Sequence, residues 1–182
     1  VKTDRIGIRI RVALVALIVL VALGQRLVAA DRLPVDADEP VYAWAASNYA
    51  RLMARGEWGQ IPSYAYNAEH PVLVKLLYAF GLRAAGYAGE ADQPSVPSPS
   101  DLPFTWGSPP DALEIFFVDR LISVLFGTLQ VLVVALVNPL AGAALAVHTL
   151  AVKYTAEIYL EAVSAFAATL SIVAYDRARR KG

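Results

Sequence analysis

Asp38 and Glu39 stand side by side directly before Pro40, and further along Glu69-His70-Pro71-Val72-Leu73-Val74-Lys75 brings a carboxylate, an imidazole and an ammonium onto one short stretch. Residues of these types suit transfer of a group away from a phosphate. A carboxylate takes the proton of the attacking hydroxyl, and cations or oriented N–H groups stabilise the departing anion. Each position also has a plain structural use. Pro40 fits the first position of a helix, which makes Glu39 the natural cap and leaves Asp38 just outside it. Glu69 ends a solvated loop, and His70 caps a second helix starting at Pro71. Lys75, one turn into that helix, either meets a phosphate at the helix's positive end or snorkels among head groups. A lone histidine beside a carboxylate is a weak metal motif.

The elements that must hold these residues are set by hydropathy. Apolar residues make up 57% of the chain, enough to supply long uncharged runs. Val12–Gly24 with Leu27–Ala30 reaches the roughly 20 residues that cross a bilayer, and Ile115–Val137 is a second such run. The pattern predicts an all-α fold, a polytopic membrane helix bundle with helices at about 10–30, 114–137, 140–154 and 157–176, and an outer loop at 31–113. Lys2, Arg5, Arg9 and Arg11 precede the first helix, while Arg177, Arg179, Arg180 and Lys181 follow the last. Basic flanks of this kind place both termini in the cytoplasm and the loop outside, so the expectation is a multi-pass integral protein of the plasma membrane. A cleaved signal peptide is the rival for the first run, but Gln25 and Arg26 fit poorly before a cleavage site. Formal charge balances over the whole chain, yet acids outnumber bases in the loop, and nothing there forms the basic stripe a nucleic acid requires. Cysteine is absent, which excludes disulfides and thiolate chemistry. The chain does not begin with methionine, and a partial chain is expected.

Within the loop, Val41, Trp44, Ala45, Tyr49, Leu52 and Met53 recur at helical spacing, predicting an amphipathic helix lying in the head-group layer over 41–55. Val72, Leu73, Leu76, Leu77 and Phe80 predict a second, weakened at Gly81. Residues 86–110, rich in Gly, Pro and Ser, read as a connector. Arg120 enters the membrane at the head of the second apolar run, where an unpaired charge costs up to about 2.5–3.5 kcal/mol, so a partner from the loop is expected. Lys153, Glu157 and Glu161 are spaced by four and would form a charge ladder on one continuous helix. His148 reads as a packing residue inside the third helix.

Taken in order, these residues resemble the C-type superfamily of membrane glycosyltransferases, in its protein O-mannosyltransferase and aminoarabinose transferase branch. The resemblance lies in the outside Asp38-Glu39 pair, in Glu69-His70-Pro71-Val72-Leu73 with Lys75, in Arg120 heading Asp119-Arg120-Leu121-Ile122-Ser123-Val124-Leu125-Phe126-Gly127, and in Glu161 within Tyr159-Leu160-Glu161-Ala162. Val72 stands where the family usually has a second proline, and Glu161 where relatives often carry Asp. Each motif is short, and only their order is specific. The resemblance implies an amino-terminal portion of an enzyme that transfers a sugar, with inversion, from a lipid-linked polyprenyl-phosphate donor to a protein or lipid acceptor. Asp38 would be the general base, and Glu39, Glu69, His70, Lys75, Arg120 and Glu161 the substrate-binding residues. Some relatives use a divalent metal, which makes Glu69 and His70 candidate ligands. The alternative is a non-catalytic membrane module, a transporter fragment or assembly subunit, whose charges pair internally.

Overall fold

The structure is a computed structural model describing residues 2–36, 38–64, 70–87 and 110–180, with the backbone alone for 2–6 and 110–115. All regular structure among the described residues is helical: α1 (Lys2–Arg32), α2 (Glu39–Ala54), a short 3-10 helix (Trp58–Ser63), α3 (Val72–Ala84), α4 (Pro110–Val137), α5 (Pro139–Val147), α6 (Thr149–Tyr154) and α7 (Glu161–Arg179). The all-α expectation holds. Two helices carry stretches long and apolar enough to cross a membrane, Gly7–Arg32 and Phe116–Val137. By contrast, α5 and α6 have 9 and 6 residues. At about 1.5 Å per residue neither alone spans a hydrocarbon layer of about 30 Å. The connector predicted at 86–110 falls almost wholly on residues outside those described.

The chain divides into two compact units, 1–33 with 123–182 and 34–122. In the first, Val15, Ile18 and Ala22 form a stripe on α1 at spacings of three and four and meet Val131 and Ala135 of α4 and Ala146 of α5. A second small core joins Ala30, Val124 and Ala156. Another face of α1 is bare: Ile8, Ile10, Val12, Leu17 and Leu20 are exposed.

Helix α4 stops because Asn138 is extended and its Oδ1 accepts from the N–H groups of Leu140 and Ala141 at 3.0 and 3.2 Å, capping α5, with Pro139 in its first turn. Only glycine fits at 142, since a Cβ there would lie 2.6 Å from the Ala135 Cα. The third predicted helix, 140–154, is broken. His148 is extended, and its Nδ1 accepts from the Ala151 N–H at 3.3 Å, so it ends α5 and caps α6. It is exposed, not packed inside a helix as expected. The fourth helix starts at Glu161 and not at 157, because Thr155–Tyr159 form a buried, non-helical passage. The ladder therefore keeps its first rung, Lys153 Nζ to Glu157 Oε2 at 3.6 Å, and loses Glu161, which is exposed.

In the second unit α2 packs against α3. Ala43, Ala45, Ala46 and Ala50 are small enough to let neighbours close around α2, and Tyr42, Tyr49 and Met53 fill the space. No residue of α2 from 39 to 54 is exposed, so it is not the one-sided surface helix predicted from the pattern. Helix α3 is one-sided: Val74, Lys75, Tyr78, Ala79 and Leu82 are buried, while Leu73 and Phe80 face out. Burial of Tyr78 and Leu82 stabilises the pair by about 1.5–3 kcal/mol for a side chain such as leucine. Gly56 (φ 73°) and Gly86 (φ 85°) close both helices in the left-handed region that glycine adopts without strain.

Candidate functional site

Asp38 sits at the capping position of α2 with φ −89° and ψ −21°. Its side chain is exposed and makes no cap hydrogen bond, so the carboxylate is spent on no structural task at the helix start. Pro40 lies in the first turn, as its fixed φ favours. Glu39 is the first helical residue and not the cap. It is fully buried and takes a two-pronged grip from Arg120, whose Nε donates to Oε1 at 2.8 Å and whose Nη2 donates to Oε2 at 2.5 Å. The Asp36 N–H also donates to Oε2, at 2.9 Å, and Arg120 Nη2 donates to the Pro34 carbonyl at 3.1 Å. Such a fork is the strong form of a carboxylate–guanidinium contact. It ties residues 34–39 to the helix that carries Arg120, and Glu39 is the partner that Arg120 was expected to draw from the loop.

Asp119, next to Arg120, is fully buried, and neither carboxylate oxygen has a hydrogen-bond partner. The charge of Glu39 acts on it. Asp119 is thus a second buried carboxylate within electrostatic reach of Glu39. Lys75 is fully buried in place of snorkelling, with Nζ 5.7 Å from the centre of the Tyr49 ring. His70 does not cap α3; Pro71 holds that position. The His70 ring instead meets Tyr42 edge-on at 5.2 Å, with Nδ1 3.5 Å from the Tyr42 hydroxyl. Glu69 lies outside the described residues.

The site residues predicted from sequence therefore fall into three sets. Glu39 and Arg120 bond directly, and Asp38 adjoins them in the chain. Lys75 and His70 contact α2 through Tyr49 and Tyr42. Glu161 belongs to the other unit, at the head of α7. Among the described residues no group of three His, Cys, Asp or Glu is placed to hold a metal ion, and Glu69, a candidate ligand, lies outside them.

Two buried charges went unassigned in the sequence. One is Asp119. The other is Arg26, fully buried in the first unit, whose Nε donates to Thr155 Oγ1 at 2.8 Å and whose Nη1 donates to the carbonyls of Ala22 and Ala146 at 3.2 and 3.4 Å. Its Nη2 has no partner. The available signal was a charge inside an otherwise apolar run, which marks a residue with a specific task.

Comparison of the chain with protein-family models, with curated protein sequences and with solved structures gives no match.

Proposed function

We propose that this chain belongs to a polytopic membrane glycosyltransferase of the C-type superfamily, moving a sugar from a polyprenyl-phosphate donor to an acceptor on the non-cytoplasmic side. Asp38 takes the proton from the acceptor hydroxyl. The acceptor oxygen attacks the anomeric carbon from the face opposite the phosphate, and the sugar–phosphate bond breaks with its electrons going to the phosphate, inverting the sugar carbon. The observation that carries this reading is the pairing of opposite environments at adjacent residues: an exposed, uncommitted carboxylate at 38 on backbone fixed by the buried Glu39–Arg120 fork. A base held on fixed backbone meets its proton in one geometry, which is worth more than a mobile one.

Membrane residence supports the same reading. Only 22% and 39% of the apolar stretches in α1 and α4 are buried by protein, leaving faces that water would penalise and a bilayer would not. Basic flanks at both ends favour cytoplasmic termini and an even number of crossings, a number that Gly7–Arg32 and Phe116–Val137 would supply.

A non-catalytic membrane module is the second reading, favoured by the engagement of Arg120 with Glu39, which satisfies internally a cation otherwise available to a phosphate. Asp38→Asn in the complete protein separates the two. Loss of sugar transfer by about 10²- to 10⁴-fold, with membrane insertion and abundance unchanged, is the expected result. Wild-type rates in that variant would remove Asp38 from the mechanism.

A further inference from the structure

A cleft of about 380 Å³ opens in the second unit between the C-terminal end of α2 and the 3-10 helix, lined by Asn48, Arg51, Arg55, Gln60, Ser63 and Tyr64. Its volume is that of a small-ligand site. Two guanidinium groups one helical turn apart line it, and among the described residues no carboxylate does. Like charges at this spacing repel one another unless an anion lies between them.

The ordinary role for basic residues in a last turn is to satisfy the helix's final carbonyls. Here backbone groups already do so: Arg51 O accepts from Arg55 N at 3.1 Å, Met53 O from Gly56 N at 3.1 Å, and Leu52 O from Glu57 N at 2.8 Å. The Arg51 side chain bonds instead to Asn48 Oδ1, while Asn48 Nδ2 donates to the Trp44 carbonyl at 2.9 Å and so fixes the amide that orients the guanidinium. Across the cleft, the Ser63 hydroxyl donates to the Gln60 carbonyl at 3.0 Å, and the Tyr64 ring is set edge-on against Tyr49 at 5.4 Å. The cleft thus presents two guanidinium groups, one of them oriented by Asn48, with the Gln60 amide and the Ser63 and Tyr64 side chains beside them. Guanidinium forks match phosphate oxygens two at a time, and amides with hydroxyls match a polyol.

We infer that this cleft is a binding site for a phosphate group carried on a hydroxylated organic moiety. Sugar phosphates and glycerol-based lipid head groups share that chemistry. The inference does not depend on Asp38 or on sugar transfer.

The test is calorimetric titration of the intact chain in phosphatidylcholine nanodiscs with glucose 1-phosphate and with glucose. Glucose 1-phosphate should bind at least about tenfold more tightly than glucose, and R51A/R55A should lose at least about tenfold of that affinity. Because the double variant removes two charges at once, R51K/R55K is measured beside it. Lysine keeps the charge without the fork and should fall between the two. Gln60→Ala should weaken glucose 1-phosphate more than inorganic phosphate. Repeating the titration in nanodiscs containing phosphatidylglycerol identifies the source. Competition that R51A/R55A abolishes marks a lipid head group, and its absence marks a soluble sugar phosphate. Equal affinity of wild type and R51A/R55A for glucose 1-phosphate, or binding of neither phosphate nor phosphatidylglycerol by wild type, overturns the proposal, and neither outcome bears on the Asp38→Asn result.

Discussion

Replacing Glu39 by alanine takes away the carboxylate that the Arg120 guanidinium grips in a site where it is only 4% exposed. Two charge-assisted bonds disappear, at 2.8 and 2.5 Å, and the Asp36 N–H loses its 2.9 Å acceptor. Breaking one partner of a buried ion pair costs about 3–5 kcal/mol, and the lost backbone bond adds about 1 kcal/mol. Arg120→Met alone should cost a similar amount, because it takes from the fully buried Glu39 carboxylate its guanidinium partner while the Asp119 carboxylate still acts on it. The double variant removes the cation and its partner together, and an apolar replacement of a buried pair is often close to neutral. The two losses should therefore fall short of adding by at least about 2 kcal/mol. Denaturant unfolding in bicelles, followed by the emission of Trp44 and Trp58 in the same unit, measures all four corners of the cycle. Additivity within about 0.5 kcal/mol would show that the fork contributes nothing specific, and the argument that it fixes the backbone under Asp38 would fail.

Other expectations are more local. Gly127→Ala puts a Cβ 2.5 Å from Thr155 Cβ and 2.8 Å from Arg26 Nε, so it should displace the Arg26–Thr155 bond and lower stability by about 1–3 kcal/mol, seen as a lower melting temperature in detergent. Asn138→Ala removes a cap with two accepted N–H groups and should cost about 1 kcal/mol, with faster amide exchange confined to the first turn of α5. Burial pushes the Tyr49 hydroxyl above its ordinary value, so its contribution is full below the unfolded value of about 10 and is lost as pH rises through the folded one. Unfolding free energies taken from pH 8 upward should fall less steeply for Tyr49→Phe than for wild type.

Much of the helical framework was legible because it is local. Pro40, Pro71 and Asn138-Pro139 mark helix starts through their own backbone preferences, and the apolar runs of α1 and α4 exceed what any neighbouring signal could interrupt. Where the reading failed, tertiary contacts had overridden local chemistry. Glu39 has the composition of a cap, but a guanidinium 81 residues away in the chain claims it. Lys75 looks like a snorkelling residue until α2 closes over it, and the alanines that permit the closure carry no signal of their own. His148 was read as buried because its neighbours are apolar, yet its ring nitrogen offers the backbone an acceptor that breaks the helix. Of the site, the residue types and their order were visible, and the Glu39–Arg120 bond was visible only as a missing partner.

The bond between Arg26 and Thr155 spans 129 residues, and this has a consequence for biosynthesis. If α1 enters a bilayer as it leaves the ribosome, Thr155 is still unmade, and at about 5–20 residues per second the delay is roughly 6–26 s. Throughout that interval the nascent helix must park its guanidinium at the lipid–water boundary, riding shallow, and slide to its final depth once the later segment arrives. Maturation would then include a late seating step that slows when Thr155 is replaced by valine.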